Sequence, residues 1–296
     1  MIYEVVHRTR YDYDGPVTVS LGQVHQLAAD VDGQRCLRCS LAISPEPEHK
    51  RERRDYFGNR AAVFSIREPH TRLEVTTSAL VDATGRPERF GADGDRPWET
   101  VIAVEGRDAA PTDRPPLEVV EFALDSTLVT RSAGLADYAR QSFAPRRGLA
   151  EAVTELSSRI HADFAFDPEA TDVDTPLEEV VERRRGVCQD FAHVMIGCLR
   201  SLGLAARYVS GYLETIPPPG QRRLVGADRT HAWVGVHTGD GSWIGVDPTN
   251  DRLAGRRYVT TAHGRDYADV PPLKGVIFTD AEESVLTVSV DVVPSG

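Results

Sequence analysis

From residue 1 to about 82, apolar and polar side chains alternate with a period of two, the pattern of half-buried strands. The runs Ile2 to Tyr13, Val17 to Leu27, Arg35 to Ile43, Ala61 to Ile66 and Leu73 to Leu80 are rich in β-favouring residues. Asp14-Gly15-Pro16, Asp32-Gly33 and Gly58-Asn59 punctuate them as turns. Short strands with such breaks predict a β-sandwich-like domain. Residues 83 to 116 are dense in Pro, Gly, Asp and Arg and predict an irregular connection. From Leu117 to Ile160 the period becomes helical, with Leu149, Val153, Leu156 and Ile160 on one face. Thr175 to Arg185 reads as a further helix, with Pro176 in its first turn and Glu178 and Glu179 at its positive end. After the break at Gly186-Val187, a helix is predicted from Cys188 to about Leu202, with Gly203 as its stop. Strand signals then run from Ala205 to the alternating terminal segment SVLTVSVDVV. This order predicts an α+β fold in two parts. An N-terminal β domain with its connection occupies residues 1–110, and helices followed by an antiparallel sheet occupy 111–296.

The bulk numbers narrow the function. The 296 residues are 41% hydrophobic, enough for real cores, and carry a formal charge of −11. No basic cluster offsets that charge, so tight binding to a phosphate backbone is not expected. The basic run Arg183-Arg184-Arg185 reads as a solvated helix end just ahead of Cys188. The first fifteen residues alternate without an apolar core, unlike a signal peptide. No stretch reaches the ~18 uninterrupted apolar residues of a membrane span. A cytoplasmic location with reduced thiols is therefore expected, with no membrane or nucleic-acid partner and no cofactor.

Cys36 and Cys39 have the CxxC spacing of many zinc and redox sites. In RCLRCSLAI they lie in a predicted strand, where residues three apart point to opposite faces. No second ligand pair lies nearby, so no metal is expected and Cys39 reads as a core residue. Cys198 falls on the helical stripe Phe191, Met195, Cys198, Leu199 and Leu202, and reads as core too. Ten residues separate it from Cys188, about 15 Å along a helix, which is beyond disulfide reach. Cys188 differs by standing at a helix N-terminus, where free N–H groups and the dipole favour a thiolate and can hold an oxyanion. A nucleophile there needs a base.

The segment THAWVGVHTGDGSWIGVDPTN has a hairpin pattern around Thr238-Gly239-Asp240-Gly241. A three-residue loop sets His231 opposite Asp247, Trp233 opposite Gly245 and Gly235 opposite Trp243. Ala232, Val234 and Val236 then form a core face with Val246 and Ile244, and His231 and Asp247 are neighbours on the other face. A carboxylate there would orient the imidazole and favour its charged form. Cys188, His231 and Asp247 thus compose a candidate catalytic set of nucleophile, base and orienter. Asp190, in the first turn after Cys188, reads as a cap that points away from the sulfur. Five residues past Cys188, His193 turns to another face, which argues against a metal site made of Cys188, His193 and His231. His237 lies beside the turn. His7, His25, His49 and His70 belong to the first domain, and no partner is foreseen for His161 or His263.

GVCQDFAH, THAWVGV and GVDPTN, followed by GRDYADVPP, resemble the bacterial transglutaminase-like family of the papain-like cysteine acyl-transferase superfamily. The resemblance spans nearly the whole chain, with the N-terminal β domain of such proteins followed by the transglutaminase-like core from about residue 150. It implies a Cys–His–Asp triad that falls on Cys188, His231 and Asp247. It also implies acyl transfer at a peptide or protein amide through a thioester. Hydrolysis is slightly preferred, with transglutaminase crosslinking or a non-catalytic peptide-binding module as alternatives. The region of Tyr267 and Asp269 reads as a structural loop at the cleft.

Overall fold

A computed structural model of the protein describes residues 1–91, 96–103, 115–215 and 230–295. The chain opens with β1 (Ile2–Val24), β2 (Arg35–Ser44), β3 (His49–Arg54), β4 (Arg60–Ile66) and β5 (His70–Asp82). They form one antiparallel sheet in the order β2-β5-β1-β4-β3. Valines, leucines and phenylalanines of β1, β2, β4 and β5 enclose a common core that includes Val24, Leu41, Ile43, Phe64, Ile66 and Val75. Strands far apart in the sheet order meet there, so the sheet curls on itself into the sandwich-like arrangement expected. Asp14-Gly15-Pro16 is not a reversal, however. The register of β1 against β5 shifts between Asp12 and Val17, which bends one long strand. The fully exposed β3, HKRERR, escapes a hydrophobic-pattern reading because neither face is apolar, and its charges suit an edge.

The connection expected over 83–116 lies partly outside the described residues. Where described, it is docked: the Trp98 ring packs edge-on to Phe143 at 5.5 Å, and the Ala103 N–H donates to Gly203. The helical stretch from Leu117 resolves into α1 (Leu117–Val120), α2 (Ala133–Arg140) and α3 (Leu149–Asp163). Ser132 caps α2 by accepting from the Leu135 N–H, a start signal that divides the run. β6 (Ala165–Phe166) follows, then α4 (Leu177–Arg183), β7 (Arg185–Gly186) and α5 (Cys188–Ser201). Gly203 has φ of 81°, the left-handed conformation expected of a helix stop. The second sheet comprises β8 (Ala206–Leu213), β9 (Thr230–His237), β10 (Trp243–Asp247), β11 (Arg252–Leu253) and β12 (Tyr258–Gly264), in the order β11-β10-β9-β8-β12. α5 lies on it, and Phe191, Met195, Cys198 and Leu199 join Ala232, Val234, Val236, Ile244 and Val246 in one core. Cys198 is fully buried, which pushes its thiol up to about 12.

Two further sequence readings are corrected. The alternating terminal segment was expected with the second sheet, but β13 (Leu273–Thr279) and β14 (Ser284–Ser295) return to pair with β1. Alternation specifies a strand without naming its partner. Val290 and Val292 are buried there against Tyr3 and Val5. The second correction concerns CxxC. A register shift between Cys36 and Arg38 against β5 breaks the strict alternation. The Cys36 thiol therefore meets Cys39 rather than facing away. The thiol donates to the Arg38 carbonyl at 3.5 Å, and the proximity of the two sulfurs raises Cys36 and holds Cys39 down to about 6. Both are free thiols, and Arg60 Nη1 lies 3.7 Å from the Cys36 sulfur.

Candidate active site

The N-terminus of α5 is fixed by Asp190. Its Oδ2 accepts from the Val187 N–H at 2.8 Å and from Thr171 Oγ1 at 2.7 Å, the reach-back of a capping box. Asp190 is 3% exposed, and burial raises its pKa against the pull of those two donors. Gly186 is required by this cap, since a Cβ there would lie 2.3 Å from Asp190 Oδ2. The reading of Asp190 as a cap thus stands, and it delivers Cys188, half-buried, at the first position of the helix.

The β9–β10 hairpin sits two residues away from the expected register. Gly235 faces Gly245 and Trp243 faces His237. The loop has five residues rather than three. The Thr238 N–H donates to Ser242, and Gly239 and Gly241 both have φ of 89°. A two-residue slip keeps every side chain on its own face. His231 and Asp247 therefore remain on one face, as diagonal rather than direct neighbours, with Nε2 2.7 Å from Oδ2. That face was taken as non-core, yet Asp247 is fully buried and Trp233 is 1% exposed beneath Tyr258 and Ala254.

The Cys188 side chain lies close enough to His231 to favour its charged form. Asp247 occupies Nε2, which leaves Nδ1 to serve the sulfur. Burial alone would disfavour the imidazolium. The Asp247 bond and charge and the Cys188 sulfur outweigh it and hold His231 up to about 10. The structure thus brings Cys188, His231 and Asp247 together.

The carboxylate is held from several sides. Oδ2 also accepts from the Tyr258 hydroxyl and from Asn250 Nδ2, each at 2.7 Å, and Oδ1 accepts from the Thr249 N–H at 2.9 Å and the Asn250 N–H at 3.2 Å. Burial opposes ionisation of Asp247, but its donors, His231 foremost, hold its pKa below the usual carboxylate value. Trp233 stacks on His231 with ring centroids 6.3 Å apart, and Tyr258 packs edge-on to Trp233 at 5.3 Å. Asn250 and Tyr258 escaped the sequence reading. The Asx-turn pattern of DPTN could have indicated Asn250, whereas no local signal links Tyr258 to Asp247.

His193 is buried away from the sulfur. Its Nε2 accepts from the Tyr267 N–H at 3.2 Å, and burial pushes it down to about 4, a neutral structural ring. Tyr267 packs edge-on to Tyr208 at 6.2 Å, and Asp269 is bound to Arg265 at 2.9 Å. His161, for which no partner was foreseen, meets the Thr249 carbonyl at 2.9 Å. His237 is buried rather than exposed beside its turn. Among the described residues no group of three or more His, Cys, Asp or Glu side chains is placed to hold a metal.

Comparison with known proteins agrees with this architecture. Residues 3–82 match the bacterial transglutaminase-like N-terminal region, and residues 136–248 match the transglutaminase-like superfamily. A protein of Mycobacterium tuberculosis is 44% identical over 298 residues, covering 99% of this chain and 92% of the relative. A 120-residue segment, 40% of this chain and 18% of the relative, is 32% identical to a protein-glutamine gamma-glutamyltransferase of Pseudomonas aeruginosa. A solved Cytophaga hutchinsonii structure, described as a candidate cysteine protease, shares the fold. Its TM-score is 0.76 at 21% identity, over 100% of this chain and 92% of that one. With both halves matched in order and a relative aligned nearly end to end, the chain belongs to the bacterial transglutaminase-like family.

Proposed function

We propose that the protein is a cysteine-dependent acyl-transfer enzyme acting on peptide or side-chain amides through a thioester, with water as the preferred acceptor. The observation that carries this reading is the convergence of Cys188, at the start of a capped helix, with the hydrogen-bonded His231–Asp247 pair whose imidazole charge it helps to favour. The Cys188 thiolate, paired with the His231 imidazolium, attacks the amide carbonyl and forms a C–S bond. The oxyanion is met by the backbone N–H of Cys188, which has no acceptor within the helix because it lies in the first turn. His231 then gives its proton to the leaving amine or ammonia as the C–N bond breaks. Water, deprotonated by His231, attacks the thioester and releases acid and thiol. Asp247 fixes the ring and its charge throughout and does not itself exchange a proton.

An amine can replace water in the second half. The similarity to a relative named as a gamma-glutamyltransferase favours this as the second reading. One experiment separates them. A peptide library is incubated with the protein, with and without a primary amine donor, and read by mass spectrometry. Hydrolysis predicts cleavage or deamidation, and transamidation predicts amine incorporation. All must vanish in Cys188→Ala. Binding of peptides without any Cys188-dependent mass change would overturn the enzymatic reading in favour of a peptide-binding module.

A further inference from the structure

The face of the second sheet that carries His231 also holds a separate cavity of about 340 Å³, lined by Arg86, Arg207, Trp233, Trp243, Thr260 and His263 among others. Its floor follows from the hairpin register. Arg207 pairs with Gly235, and Gly235 pairs with Gly245, so two adjacent positions lack side chains. A Cβ at Gly235 would come within 2.9 Å of Arg207 Cγ and Nε, so the arginine stem occupies the space the glycine leaves. The guanidinium then lies 4.3 Å over the Trp243 ring. Arg86 reaches the same cavity from the segment after β5, donating to Gln34 and Thr260.

What distinguishes the cavity is positive charge that is only partly compensated. Arg207 Nε, Arg86 Nε and His263 Nδ1 are all enclosed without a hydrogen-bond partner. Asp32, exposed at the rim, is the acidic residue lining the cavity, and among the described residues neither arginine makes an ion pair with it. Two half-buried guanidiniums facing one space, with Asp32 at the exposed rim offsetting only Arg86, cost stability unless something anionic enters. Burial, with the charge of Arg86 adding to it, drives Arg207 down to about 9, and burial drives Arg86 down to about 10 against the pull of Asp32. His263 is held near 3 by burial and by Arg207.

We propose that this cavity is a binding site for a small dianionic oxyanion of the phosphate or phosphate-monoester class, gripped by Arg86 and Arg207 with His263 as a further donor. Planar guanidiniums match phosphate oxygens in pairs, and a dianion balances the two cations. The apolar walls of Trp233, Val209 and Ile244 leave room for an organic body on the phosphate. None of Cys188, His231 and Asp247 lines the cavity, whose wall residue Trp233 stacks on His231, so this site is distinct from the proposed catalytic one.

The test titrates the full-length protein with inorganic phosphate and, separately, phenyl phosphate, following thermal unfolding against sodium chloride at matched ionic strength. Saturable Tm rises of about 4 °C or more are expected, with the larger effect from phenyl phosphate if the organic body is recognised. Equilibrium dialysis with radiolabelled phosphate should find one bound per chain. Arg207→Met removes a cation that has no counter-ion and keeps an unbranched apolar stem beside Trp243, so the variant should unfold at or above the wild-type temperature without ligand and lose both the rise and the bound phosphate. Absence of a saturable rise with both ligands overturns the proposal. So does an equal rise in Arg207→Met, or a marked drop in its ligand-free Tm, which would make Arg207 a structural residue.

Discussion

The Tyr258 hydroxyl donates to Asp247 Oδ2 at 2.7 Å, on the same oxygen that receives His231 Nε2. Asp247 is fully buried, so every donor it keeps offsets a desolvation cost that no water can meet. Tyr258→Phe removes one such donor while leaving the ring that packs on Trp233. Loss of a hydrogen bond to a buried charge predicts a stability drop of about 1–3 kcal/mol in denaturant unfolding. The catalytic effect should be smaller than for loss of Asp247 itself, because Asn250 and His231 still hold the carboxylate. A neutral Tyr258→Phe would show that the carboxylate is solvated in solution.

Asp247→Asn should be far more severe, lowering kcat/KM by about 10²–10⁴-fold, because the imidazole loses both its orientation and its counter-charge. The pH profile carries the sharper signature. In the wild type, Asp247 and Cys188 hold His231 up to about 10, so the imidazolium persists through neutral pH and the alkaline limb lies near that value. Removing the carboxylate removes leading causes of the upward shift, and the limb must move to lower pH. A change in the rate of iodoacetamide labelling of Cys188 where His231 loses its proton reports the same His231 equilibrium without a substrate. An unmoved limb would mean that Asp247 does not set the His231 equilibrium.

Stability should peak near neutral pH, and the sign follows from the buried histidines. Burial holds His7 and His193 near 4 and His263 near 3, whereas an unfolded imidazole titrates near ~6.5. Between those values the unfolded chain takes up protons that the folded chain cannot, so the contribution of these groups is intact above ~6.5 and is lost as pH falls toward 4. His231 works in the opposite sense. Its folded pKa is raised to about 10, so its contribution is intact below ~6.5 and is lost as pH climbs toward 10. Urea midpoints measured from pH 4 to 10 should trace a dome. Substituting His263 by Gln should flatten the acid side, and a flat profile there would contradict the assignment of these rings as neutral.

The sequence carried the positions of Cys188, His231 and Asp247 because each depends on short-range pattern. A glycine break before an apolar stripe places a cysteine at a helix end, and period-two alternation sets two residues on one face. That inference survived a wrong loop length because the error was two residues and the side-chain period is two. An error of one would have separated His231 from Asp247. Tyr258 was beyond reach, since it meets Asp247 only because β12 joins the same sheet beside β8, a pairing no local pattern announces. The return of β13 and β14 to β1 was equally hidden, because alternation says nothing about which edge a strand will join. Cys36 and Cys39 failed for a related reason: one residue of local irregularity near Leu37 cancels the alternation that separated them.

The cap ahead of Cys188 gives a prediction in which stability and chemistry can be read separately. Asp190 Oδ2 ties the Val187 N–H and Thr171 together, and Gly186 is the residue whose missing Cβ admits that carboxylate. Asp190→Ala should destabilise the protein by about 1–2 kcal/mol, the usual cost of losing a helix cap. Gly186→Ala should cost at least as much, because its methyl would press on a carboxylate held on two sides. In both, the first turn of α5 loosens, and with it the backbone N–H of Cys188 that meets the oxyanion. The rate should therefore fall in kcat more than KM would explain, even at temperatures where the variants are fully folded. Asp190→Asn, which retains an oxygen for the Val187 N–H, should recover most of the stability and most of the rate. Recovery of stability without recovery of rate would instead assign the Asp190 charge a direct part in the chemistry at Cys188.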